Sequence, residues 1–174
     1  MQKKICLLGT FAVGKSSLTE RFVRSIFSQR YHTTVGVHIQ KGTIDVEGEN
    51  IDLIIWDLAG EDEFVSLRTA YLRGAAGYIL VADGTRPNTL NKARELHDSA
   101  EGALGRVPFV LMVNKMDRLE DWAVADGELD GLTQKGWVVF RTSAKTGEGV
   151  SDGFIWLAKA MVQARGGELA TRDR

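Results

Sequence analysis

Gly9-Thr10-Phe11-Ala12-Val13-Gly14-Lys15-Ser16 fits the pattern G-x-x-x-x-G-K-S/T, and the interpretation of the chain begins from it. An apolar run at residues 5–8 precedes it, and a helical pattern over about residues 15–25 follows it. Glycines let successive backbone N–H groups turn inward, and the helix N-terminus adds partial positive charge. The order of strand, loop and helix therefore predicts a phosphate-binding loop, the alternative being a chance glycine turn before an ordinary helix.

Two side chains of this loop suit a nucleoside triphosphate. Lys15 can reach the β- and γ-phosphates as a point charge, and the Ser16 hydroxyl can ligate Mg²⁺. The other contacts come from backbone N–H groups. The candidate phosphate-binding residues are Ala12, Val13, Gly14, Lys15, Ser16 and Ser17.

The composition indicates one globular domain over residues 1–174, with a short polar tail from about residue 166. Hydrophobic residues make up 44% and charged residues 26% of the chain, which are ordinary proportions. The formal net charge is −1 without a basic stripe, so we expect no nucleic-acid partner. Cys6 is the only cysteine, which excludes an intrachain disulfide, and its strand position predicts core packing.

Nothing in the sequence predicts a membrane segment. No apolar stretch approaches the roughly 20 residues of a membrane helix, and residues 5–8 are too short a run for a signal peptide. Gln2 does not fit the myristoylation pattern, and the C-terminal stretch Thr171-Arg172-Asp173-Arg174 has no cysteine to prenylate. We expect a cytoplasmic protein and a monomer, and the sequence as given carries no lipid-anchor motif.

The rest of the chain alternates strands and helices, which predicts a mostly parallel α/β sheet covered on both faces. Residues 37–46 and 51–57 read as an antiparallel hairpin, and a change of apolar parity suggests a bulge near Lys41-Gly42. Residues 27–36 read as a loop. Further strands are predicted at 78–82, 109–113 and 137–140, and helices at 65–73, 89–104, 122–134 and 151–164.

Polar groups follow several strands at the edge where such sheets bind ligands. Asp57 ends the strand Ile54-Ile55-Trp56-Asp57 and can hold Mg²⁺ directly or through water, the alternative being a turn aspartate. Gly60 lacks a side chain that would block its N–H from a γ-phosphate. The Thr34 hydroxyl could supply a second Mg²⁺ ligand and its N–H a γ-phosphate bond, which would make its segment a conformational switch.

Two further loops suit a purine base. In Asn114-Lys115-Met116-Asp117, an ionised Asp117 accepts two adjacent donors of guanine and repels N1 of adenine. Asn114 would tie loops together or bond the base, and the Lys115 stem can cover the base face. In Thr142-Ser143-Ala144-Lys145, the Ala144 N–H would reach guanine O6 while Lys145 packs over the ring. Ser143 belongs to the same base site, and Phe27 packs edgewise on the base or ends the first helix in the core.

Taken together, these motifs resemble the Ras superfamily of small GTPases, with the Rab branch closest. The resemblance covers about residues 3–165 and rests on Thr34-Val35-Gly36-Val37, on residues 56–64 (WDLAGEDEF) and on residues 143–149 (SAKTGEG). It implies a P-loop NTPase fold with a six-stranded sheet and about five helices. It also implies GTP/GDP cycling with Mg²⁺, and effectors and regulators bound through segments near 28–40 and 58–74.

The sequence departs from the family pattern at Glu61, at Phe11, at Leu58, which replaces the usual threonine, and in having no cysteine to prenylate. Family members usually carry glutamine where this chain has Glu61, which as an ionised carboxylate only accepts hydrogen bonds. We therefore expect slow hydrolysis, with Lys15, Thr34, Gly60 and Glu61 as the catalytic candidates. Phe11 stands where Ras itself needs glycine, although Rab proteins vary more at this position. It would crowd an arginine supplied by an activator, unless its ring folds away over the loop.

Three functions stay open on this basis. The first is a GTP-hydrolysing molecular switch, and the second is a guanine-nucleotide-dependent scaffold with negligible hydrolysis, which Glu61 keeps open. The third is a P-loop ATPase or small-molecule kinase, which Asp117 disfavours because it would reject adenine.

Overall fold

The computed structural model describes residues 1–26, 28–32, 37–58 and 65–172. Within them are seven strands and five α-helices, each helix on one face of a single sheet. In chain order they are β1 (Gln2–Leu8), α1 (Lys15–Arg24), β2 (Ser28–His32), β3 (Val37–Val46), β4 (Glu49–Leu58), α2 (Val65–Leu72), β5 (Gly77–Asp83), α3 (Asn88–Leu104), β6 (Phe109–Asn114), α4 (Asp126–Gln134), β7 (Val139–Arg141) and α5 (Val150–Arg172).

The sheet has the order β2-β3-β4-β1-β5-β6-β7. β1 pairs in parallel with β4 and β5, and β6 pairs in parallel with β5 and β7. β3 pairs antiparallel with both β2 and β4, so it runs opposite to the other strands that the structure describes in this sheet. The predicted α/β class with a mostly parallel sheet is confirmed, and all six predicted strands are present.

One strand was missed by the sequence analysis, which interpreted residues 27–36 as a loop. Ser28–His32 forms β2 and pairs with β3 from Ser28↔Gly42 to His32↔His38. Its sequence, SQRYH, has no apolar period, which is why the pattern gave no strand. An edge strand is held by backbone hydrogen bonds to one neighbour and does not need a buried side-chain face.

The bulge predicted near Lys41-Gly42 is wrong. The β3–β4 register runs without interruption from Val37↔Leu58 to Val46↔Glu49. The change of parity has another cause, because Val37 packs on one face of the sheet whereas Ile44 and Val46 pack on the other. A strand long enough to contact both layers at its two ends produces the same apolar pattern as a bulge.

The fourth helix begins later than predicted. Residues 119–121 form a single 3₁₀ turn, and α4 starts at Asp126 rather than near Trp122. The Trp122 ring lies against Gly84, where an added Cβ would come within 2.0 Å of it. The backbone N–H groups of Ala123 and Val124 both donate to Gly84 O, so this segment packs across the β5–α3 turn instead of coiling.

Each face of the sheet carries its own core. On one face, α1 and α5 meet through stacked Phe22 and Phe154, whose ring centroids are 4.1 Å apart. On the other face, α2, α3 and α4 cover Tyr78, Leu80 and Leu111. Cys6 is fully buried, as predicted, and burial raises the pKa of its thiol to about 12. Among the described residues, no helix combines the length and apolarity needed to cross a bilayer.

Candidate functional site

The site lies where the parallel strands end. Because β1, β4, β5, β6 and β7 run in the same direction, the loops that follow them share one edge of the sheet. This is the edge at which open α/β sheets bind ligands. The loop Gly9–Ser16 after β1 lies at its centre.

The phosphate-loop candidates adopt the backbone of an anion-binding nest. Ala12 and Gly14 take left-handed conformations, with φ of 60° and 102°, and α1 begins directly afterwards at Lys15. Lys15 is only 7% exposed, and its Nζ donates to Gly9 O over 3.1 Å and to Thr10 O over 3.4 Å. Two carbonyl groups of the loop thus hold the Lys15 side chain by hydrogen bonds. The N–H groups of the loop, together with the N-terminus of α1, suit an anion.

Ser16, at the start of α1, lies in contact with Asp57, near the end of β4. The Ser16 hydroxyl donates to Asp57 Oδ2, and Asp57 is 4% exposed. Burial raises the pKa of the Asp57 carboxyl, against the opposing effects of the Ser16 hydrogen bond and the charges of Lys15 and His38. One hydroxyl and one carboxylate are hard oxygen ligands of the kind with which proteins hold Mg²⁺ beside a substrate's phosphates. Of the three predicted ligands, Ser16 and Asp57 therefore fit this metal, and Thr34 lies outside the described residues.

Asn114, the last residue of β6, connects three loops. Its Nδ2 donates to Val13 O over 3.0 Å, while its Oδ1 accepts from the Thr142 hydroxyl and from Ala144 N, both over 3.2 Å. The side chain is buried and all of these contacts lie within the candidate site. Of the two roles considered for Asn114, the loop-tying one is the arrangement found.

The two other polar residues of this loop make different contacts. Lys115, with φ of 72°, donates from Nζ to Ala12 O over 3.0 Å and pairs with Asp83 over 2.8 Å. Asp117 accepts from the Ser143 hydroxyl through Oδ1 over 2.7 Å. The loop after β6 is therefore joined to the phosphate loop through Lys115 and to the loop after β7 through Asp117.

A cavity of about 410 Å³ opens between these loops. Its walls are formed by the end of the phosphate loop and by the loops that follow β6 and β7. The lining residues are Gly14, Ser17, Asn114, Lys115, Asp117, Arg118, Ala144 and Lys145. The lining includes Gly14 and Ser17 beside the phosphate loop and the carboxylate of Asp117. A lining of this kind suits a ligand that combines phosphates with a donor-bearing ring.

Four predicted site residues, Phe27, Thr34, Gly60 and Glu61, lie outside the described residues. Phe11 is described, and its side chain is 70% exposed, so the ring does not fold away over the loop.

The sequence analysis missed Asp83 and Arg21. Asp83 ends β5 and is 1% exposed, and the same reasoning that selected Asp57, an acid closing a buried strand, could have found it. Burial alone would raise its pKa, but hydrogen bonds from Lys115, Thr85 and Arg86 outweigh this and hold the pKa at about 2.

Arg21 restrains the loop after β7 from the side of α1. Its Nε donates to Ala144 O over 2.9 Å and its Nη2 donates to Lys145 O. Sequence alone carried no signal for this contact, because an arginine on a helix is an ordinary surface residue.

Known proteins of similar sequence belong to the family that the motifs of this chain resemble. The sequence model of the Ras family matches residues 4–163. The chain is 36% identical over 166 residues to Ras-related protein Rab-13 of Bos taurus, which covers 94% of this chain and 82% of the relative. It is 35% identical over 175 residues to GTP-binding protein yptV2 of Volvox carteri, with 98% and 80% covered. It is 35% identical over 158 residues to Ras-related protein SEC4 of Saccharomyces cerevisiae, with 90% and 73% covered.

Proposed function

The chain belongs to the Ras family as a Rab-like small GTPase, and we propose that it alternates between GDP and GTP, holds Mg²⁺, and hydrolyses GTP slowly. The observation that carries the proposal is the continuity of the site. Asn114 bonds Val13 of the phosphate loop and Ala144 of the base loop at once, so one amide sets the spacing between a phosphate cradle and a purine pocket.

Guanine selection is assigned to Asp117. Guanine offers adjacent N1–H and N2–H donors, whereas adenine has an acceptor at N1. An ionised carboxylate in a cavity wall accepts the former pair and would be left unpaired by the latter, which is the kind of mismatch that sites reject strongly. Ser143 donates to Asp117 over 2.7 Å. We assign guanine O6 to the Ala144 N–H, which in the structure donates to Asn114 Oδ1 over 3.2 Å.

The phosphates and the metal are assigned to the other end. Lys15 and the loop N–H groups would hold the β- and γ-phosphates, and Ser16 with Asp57 would hold Mg²⁺, joined by Thr34 when GTP is bound. Mg²⁺, when present, supplies neutralisation of phosphate charge. Lys15 stabilises the charge that develops on the phosphate oxygens as water attacks, and no side chain acts as nucleophile.

Glu61 is the reason for proposing slow turnover. Its ionised carboxylate can only accept hydrogen bonds, and its charge would oppose the γ-phosphate. We expect a rate on the order of 10⁻⁴ per second or below, which is typical of unstimulated Ras-type hydrolysis. Glu61→Gln should raise the single-turnover rate of pure protein. Equal or faster hydrolysis by the native protein would overturn the assignment.

Glu61 is also the reason for a second candidate function. In it, the protein is a scaffold that binds guanine nucleotides with negligible hydrolysis. GTP retained after long incubation with Mg²⁺, by both the native protein and Glu61→Gln, would favour it. Nucleotide extracted from the purified protein tests either reading, because stoichiometric ATP or ADP would exclude both.

Base selection can be tested by Asp117→Asn against Asp130→Asn, an exposed aspartate on α4. An asparagine NH₂ can donate to the C2 carbonyl of xanthine, so the first variant should lose affinity for GDP and gain it for xanthosine diphosphate. Asp130→Asn should keep the native preference. An unchanged preference in Asp117→Asn would remove Asp117 from the base site.

Partner binding is proposed for the segments near 28–40 and 58–74, which include β2, the start of β3 and α2. We also propose that the chain is a monomer. Size-exclusion chromatography with light scattering tests this, and a dimer at micromolar concentration would contradict it.

A further inference from the structure

The buried carboxylate of Asp83 forms ion pairs with two cationic side chains near the phosphate loop. Asp83 Oδ2 accepts from Arg86 Nε over 3.0 Å and from Lys115 Nζ over 2.8 Å. Its Oδ1 accepts from the backbone N–H and the hydroxyl of Thr85, over 2.9 and 2.7 Å. The Asp83 backbone is fixed in turn, because its N–H donates to the Thr89 hydroxyl on α3 over 2.8 Å.

Each of these two cationic side chains also donates a hydrogen bond to the phosphate loop. Arg86 Nη2 donates to Phe11 O over 2.9 Å, and Lys115 Nζ donates to Ala12 O over 3.0 Å. Two consecutive carbonyls of the loop are therefore held by two cations that share one acid. Arg86 is suited to its part, because a guanidinium is planar and presents donors in a fixed fork that can serve two acceptors at once.

The loop needs such restraint because its backbone is strained at a non-glycine residue. Ala12 has φ of 60°, a left-handed conformation that is unfavourable for a residue with a Cβ and persists only where surrounding contacts enforce it. Holding the carbonyls of Phe11 and Ala12 fixes the peptide planes whose N–H groups form the nest. Lys115 enforces one of these planes and Arg86 enforces the other.

We propose that Arg86, oriented by Asp83, is a positioning residue that keeps the phosphate loop in its binding conformation and so slows the release of guanine nucleotide. The inference rests on the proposed function, since it assigns a role within the same site. Arg86 contacts the loop through a backbone carbonyl and is not a catalytic residue. The 70% exposed ring of Phe11 has no part in the contact.

The test compares Arg86→Met with Arg94→Met, a control on α3 whose arginine pairs with Asn91 and Glu128 away from the site. The measurement is the dissociation rate of a fluorescent GDP analogue from the full chain in Mg²⁺. Arg86→Met should release it about tenfold faster, since a hydrogen bond from a charged donor is lost, and Arg94→Met should match the native rate. Release from Arg86→Met within about twofold of the native rate overturns the inference.

Amide hydrogen exchange separates positioning from general destabilisation. Faster exchange in Arg86→Met should be confined to residues 11–15, with exchange in β5 and β6 unchanged. Exchange that rises equally throughout the sheet overturns the positioning role. Asp83 keeps Lys115 and Thr85 in this variant, so the turn retains most of its bonds.

Arg86→Lys carries the test if Arg86→Met does not fold. An ammonium keeps the charge but not the fork, so Arg86→Lys should release GDP at a rate between the native protein and Arg86→Met, with faster exchange at residues 11–15. Native exchange there overturns the inference. A native protein that binds no guanine nucleotide would overturn the proposed function as well, whereas normal binding with unaltered release from the variants overturns this inference alone.

Discussion

Asn114 Nδ2 donates to Val13 O over 3.0 Å, joining the end of β6 to a loop that lies 101 residues earlier in the chain. The same side chain accepts from Thr142 and Ala144 through Oδ1. A buried amide with all of these bonds satisfied fixes the relative positions of three loops, and removing it leaves partners without bonds in a buried place.

Asn114→Ala should therefore weaken both GDP binding and the fold. We expect a loss of about 1–3 kcal/mol in the free energy of unfolding, because Val13 O and Ala144 N lose their buried partner. Urea denaturation without nucleotide measures the stability of the fold, because bound GDP would add its own binding free energy, and titration with GDP measures the affinity. Asn91→Ala, which removes only an exposed bond to Arg94, is the control and should change neither. A stable Asn114→Ala protein with native affinity would contradict this account.

Gly14 should not accept a side chain. It has φ of 102°, and an added Cβ would lie 2.3 Å from Asn114 Nδ2, so Gly14→Ala would strain the loop and displace the amide. Gly48, in the β3–β4 turn, has φ of 87° but nothing within 4 Å of its added Cβ. Gly48→Ala should cost only about 1–2 kcal/mol of backbone strain and keep GDP affinity. Gly14→Ala should lose measurable affinity in the same titration, and equal behaviour of the two variants would refute the steric argument.

Asp83 should make stability depend on pH in the acid range. Its pKa is lowered from 3.8 to about 2, so its contribution is present above pH 3.8 and is lost as the pH falls through about 2. The shift corresponds to about 2 kcal/mol. The difference in unfolding free energy between the native protein and Asp83→Asn should shrink by about this amount between pH 7 and pH 2. Asp130→Asn, which removes an exposed carboxylate on α4, is the matched control, and a constant difference for Asp83→Asn would show that its cations do not stabilise the charged form.

Phe154 should support α1, the helix that begins at the phosphate loop. Its ring stacks on Phe22 with 3° between the planes and is fully buried. Phe154→Ala should cost about 3–5 kcal/mol in unfolding free energy, because a large cavity forms between α1 and α5. Phe154→Leu keeps most of the apolar volume and should cost less. Denaturation curves of both variants decide this, and equal losses would contradict a packing origin.

Local sequence pattern was enough to predict every described strand except β2, and it selected candidate site residues whose described members lie at one edge of the sheet. Buried strands carry their own apolar composition, and Gly9–Ser16 carries the glycines and lysine that its backbone chemistry requires. The same holds for Asp57, Asn114 and Asp117, since polar residues that close buried strands must meet at one edge of a parallel sheet. The family resemblance follows from these short, locally encoded motifs, and the match to residues 4–163 confirms it.

The contacts by which distant residues restrain the loops of the site are visible in the tertiary structure and not in the sequence. β2 is held by backbone bonds to β3, so its polar sequence gave no period to read. Asp83, Arg86 and Arg21 contact loops up to 124 residues away, and such contacts depend on how distant elements pack. Local pattern specifies where a backbone can form a phosphate nest, whereas the bonds that hold the nest come from other strands and appear only when the sheet has assembled.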